Sequence, residues 1–210
     1  MWKAGTVWAA MMMAGGVMAG PVAAQELKDE SVKTFMEYAW SLTPAQFTTP
    51  SGEKVEIDKK KKADVMVPID MAREVIKVGR LSAYAQVCEL KEDQVNNYRS
   101  LMYREGDKKD GEKKKWTPQQ MIYISQLHLT TVMLLTGKIK LVQKEGDKEV
   151  VVEEGKNNNQ TCSDEQRTKV KDLITAYVAT GPKMTVVPAA AADAAPAAAA
   201  APAAAPAAKK

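Results

Sequence analysis

The chain has 210 residues, of which 45% are hydrophobic and 27% are charged, and its formal net charge is +4. This length is enough to bury one ordinary core, which predicts a single folded domain. Lysines and acidic residues are interspersed, so the one-signed field typical of nucleic-acid-binding proteins is not expected.

The first 24 residues have the pattern of a secretory signal peptide. Lys3 is their only charge, an apolar stretch covers residues 4–19, and Val22 and Ala24 precede a predicted cut between Ala24 and Gln25. The apolar stretch is shorter than the roughly 20 residues that span a bilayer comfortably. The sequence therefore predicts a periplasmic or secreted protein with no transmembrane span after cleavage and no nucleic-acid partner.

Apolar residues at helical spacing predict a mainly α, single-domain bundle of about five helices over residues 25–181. The predicted helices cover residues 27–40, 68–90, 92–104, 118–136 and 163–179. Pro68 is expected at the first helical position of the second helix. Ser163 and Gln166 have the spacing of a capping box at the start of the last helix.

The helix at residues 118–136 has the strongest signals. Thr117 is a natural N-cap before Pro118, and Gly137 follows the predicted end. Residues 121–135 carry no Asp, Glu, Lys or Arg, and most are apolar. A helix that is apolar on nearly every side is normally the centre of a bundle, so the core is predicted here.

One or two short β-hairpins are predicted between the helices. Residues 46–58 read as a hairpin or an extended loop with Val55 and Ile57 on one side, and residues 139–152 read as a hairpin around a Gly-Asp turn. Residues 106–115 are predicted to be a charged loop. Residues 182–210 are rich in Ala and Pro, which predicts a disordered tail that is either inert or a flexible spacer.

Cys88 and Cys162 are the chain's two cysteines. In an oxidising compartment, two cysteines most simply form one structural disulfide. A redox pair or a metal site is the alternative, but there is no CxxC motif, and two distant cysteines with one histidine are a poor ligand set. We predict a disulfide and neither a cofactor nor a metal.

His128 is the chain's one histidine and lies inside the apolar helix. It could in principle act as a general base or a ligand. The chain has no G-x-S-x-G elbow, H-E-x-x-H motif or phosphate-binding loop. A buried histidine with hydrogen-bonded neighbours is therefore the favoured interpretation.

Two lysine clusters are the strongest local charge signals. Both are flanked by acidic residues, so a solvated loop is the default interpretation, and contact with an anionic lipid or glycan surface is the functional one. The possible anionic-surface contacts are Lys59, Lys60, Lys61, Lys62, Lys113, Lys114 and Lys115.

Taken together, these patterns predict an exported, non-enzymatic helical protein that binds or scaffolds a cell-envelope component. The partner could be an envelope protein, a glycan or an anionic lipid surface. A periplasmic small-ligand or chaperone-like protein with a groove beside the helix at residues 118–136 is the alternative. A carboxylate-dependent hydrolase is the least favoured class, because no motif supports it. The absence of a motif does not exclude it, since this chemistry needs only two acidic residues placed close together in space.

Overall fold

A computed structural model describes residues 27–49, 52–145, 148–153 and 161–183, and for residues 141–145 and 148–153 it describes only the backbone. The predicted signal peptide, its cut between Ala24 and Gln25, and all but the first two residues of the predicted tail lie outside these residues. The described part is mainly helical with antiparallel hairpins and one disulfide, as predicted.

Six helices and three two-stranded ladders make up the described part of the chain. The helices are α1 (Asp29–Leu42), α2 (Lys62–Val65), α3 (Ile69–Val87), α4 (Lys91–Asp107), α5 (Pro118–Leu135) and α6 (Asp164–Ala179). The strands are β1 (Gln46–Thr48), β2 (Lys54–Glu56), β3 (Lys109–Asp110), β4 (Lys113–Lys114), β5 (Leu141–Glu145) and β6 (Lys148–Glu153), paired in sequence order.

Helix α5 lies at the centre of the bundle and packs against α1, α3 and α4. Tyr123, Ile124 and Leu127 on this helix have no solvent exposure. The predicted capping signals are present, because Thr117 and Gln120 form a reciprocal capping box and Gly137 adopts a positive φ of 70° just past the end. The prediction of the core helix is confirmed.

Some boundaries and short elements differ from the sequence prediction. Pro68 is the N-cap of α3 and not its first helical residue, because its ψ of 153° is extended and the helix begins at Ile69. The four-residue helix α2 was not predicted. Residues 106–115 are not simply a loop, because the positive φ of Gly111 (63°) allows a tight turn that pairs β3 with β4.

The two predicted hairpins are present. Strand β1 pairs antiparallel with β2, and Val55 and Ile57 are both buried, so the hairpin interpretation of residues 46–58 is confirmed. Strand β5 pairs antiparallel with β6. The hydroxyl of Tyr38 on α1 donates to the backbone carbonyl of Lys140, which fixes the start of this second hairpin against the bundle.

Helix α3 ends in a Schellman motif that contains a strained residue. The N–H of Leu90 donates to the carbonyl of Ala85 (2.8 Å), and the N–H of Glu89 donates to that of Gln86 (3.1 Å). The position that this motif reserves for glycine is held by Glu89, whose φ is +57°. A left-handed backbone conformation costs an L-residue about 1 kcal/mol or more.

We expect Glu89→Gly to raise the free energy of unfolding by about 1 kcal/mol, because glycine adopts this backbone conformation without a Cβ clash. Urea denaturation of the variant and the parent protein would measure the change as a higher midpoint. A lower midpoint would show that the exposed Glu89 side chain makes a stabilising contribution larger than the backbone strain.

Candidate functional site

The segment that joins α4 to α5, residues 108–115, is called the basic connector here. Five of its eight residues are lysines and two are acidic. Its base is fixed by Glu105, which is only 2% exposed and accepts hydrogen bonds from Trp116 Nε1 (2.8 Å) and Lys108 Nζ (2.7 Å). A buried carboxylate that is hydrogen-bonded and paired with a cation can be kept in the interior. The buried Glu105 carboxylate thus holds both ends of the connector, by binding Lys108 at its start and Trp116 directly after its end.

Strand pairing determines which lysines of the connector lie side by side. Lys109 lies directly opposite Lys114, and Asp110 lies directly opposite Lys113. Residues directly opposite each other in an antiparallel pair share one face of the ladder. Lys109 and Lys114 therefore form a pair of like charges on one face, and both residues are exposed. Lys115 instead places its ammonium over the Trp116 ring, 4.7 Å from the centroid.

The first lysine cluster is partly occupied by contacts within the protein. The Lys59 ammonium donates to the carbonyls of Trp40 and Thr43, both at 2.7 Å, at the end of α1. It also lies 4.1 Å from the Trp40 ring centroid, and partial burial lowers its pKa. Lys62 pairs with Glu37. Of the four lysines in this cluster, Lys59 and Lys62 thus make contacts within the protein. Lys60 and Lys61 are exposed.

His128 lies in a buried polar cluster between α3, α4 and α5. Its Nε2 is 2.9 Å from Ser82 Oγ, and Asn97 Nδ2 donates to Ser82 Oγ (2.8 Å) and to the carbonyl of Val78 (3.0 Å). The Ser82 hydroxyl oxygen has two lone pairs, so while it accepts from Asn97 it can either donate to His128 Nε2 or accept from it, according to the tautomer of the neutral ring. Burial lowers the His128 pKa to about 4, in agreement with a neutral ring.

The Ser82–His128 pair has the spacing of a nucleophile and its base, but it is enclosed. Ser82 has no solvent exposure and His128 has 6%. The Tyr98 ring packs against the imidazole with a centroid separation of 5.0 Å, and Tyr98 shares a 2.6 Å hydrogen bond with Ser125. A substrate cannot reach atoms that the protein covers in this way. The cluster supports the structural interpretation of His128.

Cys88 and Cys162 form the predicted disulfide, with a Cα–Cα distance of 5.1 Å. Cys88 caps the end of α3, and Cys162 immediately precedes Ser163, the N-cap of α6. Ser163 and Gln166 form the predicted capping box. The bridge therefore joins the end of one helix to the start of another across 74 residues.

In the described ranges, no group of three or more His, Cys, Asp or Glu side chains is arranged to hold a metal ion. None of the helices in these ranges has the length and apolar character needed to cross a membrane.

No protein-family model, curated protein or solved structure matches this chain. The candidate site is therefore defined by this structure alone. It consists of the exposed lysines of the basic connector, whose two ends are held by hydrogen bonds to Glu105.

Sequence reasoning missed the residues that organise these sites. Glu105 occupies a buried position four residues after Leu101, where the helical period predicts an apolar side chain. A charged residue on an otherwise apolar helical stripe indicates a buried side chain that needs a hydrogen-bond donor. The donor to Glu105 is Trp116, 11 residues later in the chain. Lys109 was also missed, because its pairing with Lys114 depends on the turn at Gly111.

Proposed function

We propose that this protein is an exported, non-enzymatic helical protein that binds an anionic component of the cell envelope through the basic connector. The observation that carries this proposal is the direct opposition of Lys109 and Lys114 in the β3–β4 ladder. Lys113 is also exposed, and it lies on the other face of the ladder, opposite Asp110.

The opposed lysines are unfavourable for the connector by itself. Like charges directly opposite each other destabilise an antiparallel pair. A phosphate or carboxylate group bound between the two ammoniums would reverse the sign of that interaction. Lys108 is ion-paired with Glu105 and Lys115 lies over the Trp116 ring, so neither is a first contact, and of the two only Lys115 adds net positive charge to the surroundings.

The attachment of both ends of the basic connector to helices favours its binding to a surface. The Glu105–Trp116 hydrogen bond and the Thr117–Gln120 capping box fix both ends of the connector to helices. A binding group that is already held in place loses less conformational entropy when it binds. The connector can therefore present its lysines without first ordering a long loop.

Export is part of the proposal and comes from the pattern of the first 24 residues. The Cys88–Cys162 disulfide is compatible with an oxidising, extracellular location. An envelope offers anionic lipid headgroups and acidic glycans at high density, which is the chemistry that clustered lysines recognise.

The alternative, a small-ligand or chaperone-like protein with a groove beside α5, receives less support. Most apolar residues of that helix, including Ile122, Val132 and Leu134, are buried, and Met102 and Met121 pack against the same core. The exposed large apolar residues in the described part are Tyr84, Tyr103 and Leu173, none of which is on α5.

Binding to lipid vesicles tests the proposal. We expect the protein to sediment with phosphatidylglycerol vesicles and to remain in solution with phosphatidylcholine vesicles. The variant Lys109→Gln/Lys114→Gln should bind about thirtyfold more weakly, since each lysine near an anionic surface contributes about 1 kcal/mol. Binding should also weaken as salt is raised.

The matched control is Lys169→Gln/Lys171→Gln, which removes the same charge from exposed positions of α6. It should bind nearly as well as the parent protein. An equal loss in both variants would show that net charge and not the connector controls binding. Failure of the parent protein to prefer anionic vesicles would contradict a lipid partner, and the same comparison on an acidic glycan column would then decide whether the connector binds anions.

A further inference from the structure

Helix α6 is attached to the bundle by a narrow face. Val170 and Ile174 are the buried residues of this 16-residue helix. They form a small cluster with Ala85 that is separate from the main core, with Leu81, Leu90 and Val178 packed at its edge. The buried members of the main core come from α1, α2, α3, α4 and α5 and the segments between them, and α6 contributes only the half-buried Tyr177, which packs against this core from outside. The rest of the bundle therefore has a core of its own.

The two ends of α6 are fastened by different chemistry. Its start is joined covalently to the end of α3 by the Cys88–Cys162 disulfide. Its end is held by Arg104 of α4, whose guanidinium donates to the carbonyl of Tyr177 and to Thr180 Oγ1 and lies 4.4 Å from the centre of the Tyr177 ring. One attachment is sensitive to reductants and the other is not.

The contact between α6 and α4 buries two polar side-chain atoms without giving them a hydrogen bond in return. Ser100 Oγ and Arg104 Nε are buried and have no hydrogen-bond partner within the described part of the chain. Both lie against Gly181, where a Cβ would meet Ser100 Oγ at 2.9 Å and Arg104 Nε at 3.2 Å. Burying a polar atom without a partner is costly, and exposure to water removes that cost. Lifting the end of α6 would therefore be partly favourable.

We propose that α6 is a redox-controlled strap, which stays on α3 and α4 while the Cys88–Cys162 disulfide is intact and separates from them when a dithiol reduces it. The dithiol loses two electrons and two protons and closes its own disulfide, and the two cysteine sulfurs of the protein become thiols. Cys162 is half-buried whereas Cys88 is 3% exposed, so the attacking thiolate enters at the Cys162 side.

Separation uncovers a defined surface on the remaining bundle. Leu81, Ala85 and Leu90 lose the cover of Val170 and Ile174, and Ser100, which lies against Gly181, becomes hydrated. The result is a mixed surface on α3 and α4 that exists only in the reduced protein. The proposal is independent of anion binding by the basic connector, which lies outside α6.

Hydrogen–deuterium exchange of the full chain, with and without dithiothreitol, tests the strap. After reduction we expect the protection of amides in α6 to fall by about tenfold or more, while amides in α5 keep their protection. Unchanged protection in α6 would overturn the proposal. Simultaneous loss of protection in α5 and α6 would also overturn it, because the disulfide would then hold the whole fold together.

Two variants separate the bridge from the reductant. Cys88→Ala/Cys162→Ala should show the loose α6 without dithiothreitol. In the oxidised protein, Arg104→Gln should loosen only the last turn of α6, because the disulfide still holds its start. An Arg104→Gln protein that loses protection along all of α6 would contradict the proposal, since Arg104 and not the bridge would then control the helix.

Discussion

Acidification from pH 6.5 to pH 4 is expected to lower the free energy of unfolding by about 3 kcal/mol through His128 alone. Its pKa is about 4 in the folded protein and 6.5 in the unfolded chain. Between these values the unfolded chain binds a proton that the folded protein excludes, so stability falls as the pH falls. The contribution is fully present above pH 6.5 and is lost at pH 4.

The surroundings of His128 explain why the folded protein excludes the proton. The groups that face the ring are Ser82 of α3 and Tyr98 of α4, with Asn97 of α4 behind Ser82. None of these is charged at neutral pH, and burial raises the pKa of Tyr98. An imidazolium here would lose its hydration and gain no counter-charge from these neighbours.

Urea denaturation at pH 4, 5, 6 and 7 would measure the effect. His128→Gln is the matched control, because its amide oxygen can still accept from Ser82 and it does not titrate. The unfolding free energy of the parent protein minus that of the variant should fall by about 3 kcal/mol as the pH falls from 7 to 4. A difference independent of pH would show that the folded protein tolerates a protonated His128.

Gly79→Val is expected to destabilise the fold by about 3 kcal/mol. Gly79 lies in α3 where it crosses α5, and a Cβ there would meet Thr131 Cβ and Cγ2 at 2.9 Å and the carbonyl of His128 at 3.3 Å. Thr131 cannot easily move away, since it is fully buried and its hydroxyl donates to the carbonyl of Leu127. The two helices would have to separate, which opens the core. Thermal denaturation followed by circular dichroism would record the loss as a lower Tm.

The control for this prediction is Gly106→Ala in α4, where an added Cβ would meet only Met121 Cε, at 3.8 Å. Alanine favours the helix over glycine by up to about 1 kcal/mol, so this variant should keep or slightly raise the Tm. Gly79→Val and Gly106→Ala with equal Tm values would show that the α3–α5 crossing adapts to the larger side chain.

The sequence predicted the elements whose signals are local. Helix α5 has its N-cap, Thr117, directly before it and Gly137 just past its end, and its uniform apolar character requires burial. The disulfide followed from a count of two cysteines and the inferred compartment. In each case the deciding information lies in neighbouring residues or in composition.

The candidate sites were less predictable because their contacts are distant in sequence. Arg104 binds the carbonyl of Tyr177 and the hydroxyl of Thr180, 73 and 76 residues away, and no local pattern marks it. Lys59 and Lys60 look equivalent in the sequence, yet only Lys59 reaches the carbonyl of Trp40 and packs over its ring. Which lysines can meet a ligand is decided by the packing of α1.

The contacts of Arg104 with Tyr177 and Thr180 also place the end of α6 beside the end of α4. Arg104 precedes Lys108, the first residue of the basic connector, by one helical turn of about 6 Å. Gly181 rests beside this arginine, so the C-terminal end of α6 lies at the same end of the molecule as the connector. If the connector rests on an anionic surface, the C-terminal end of α6 lies near that surface, while the Cys88–Cys162 disulfide lies at the other end of this 16-residue helix, about 24 Å away along its axis.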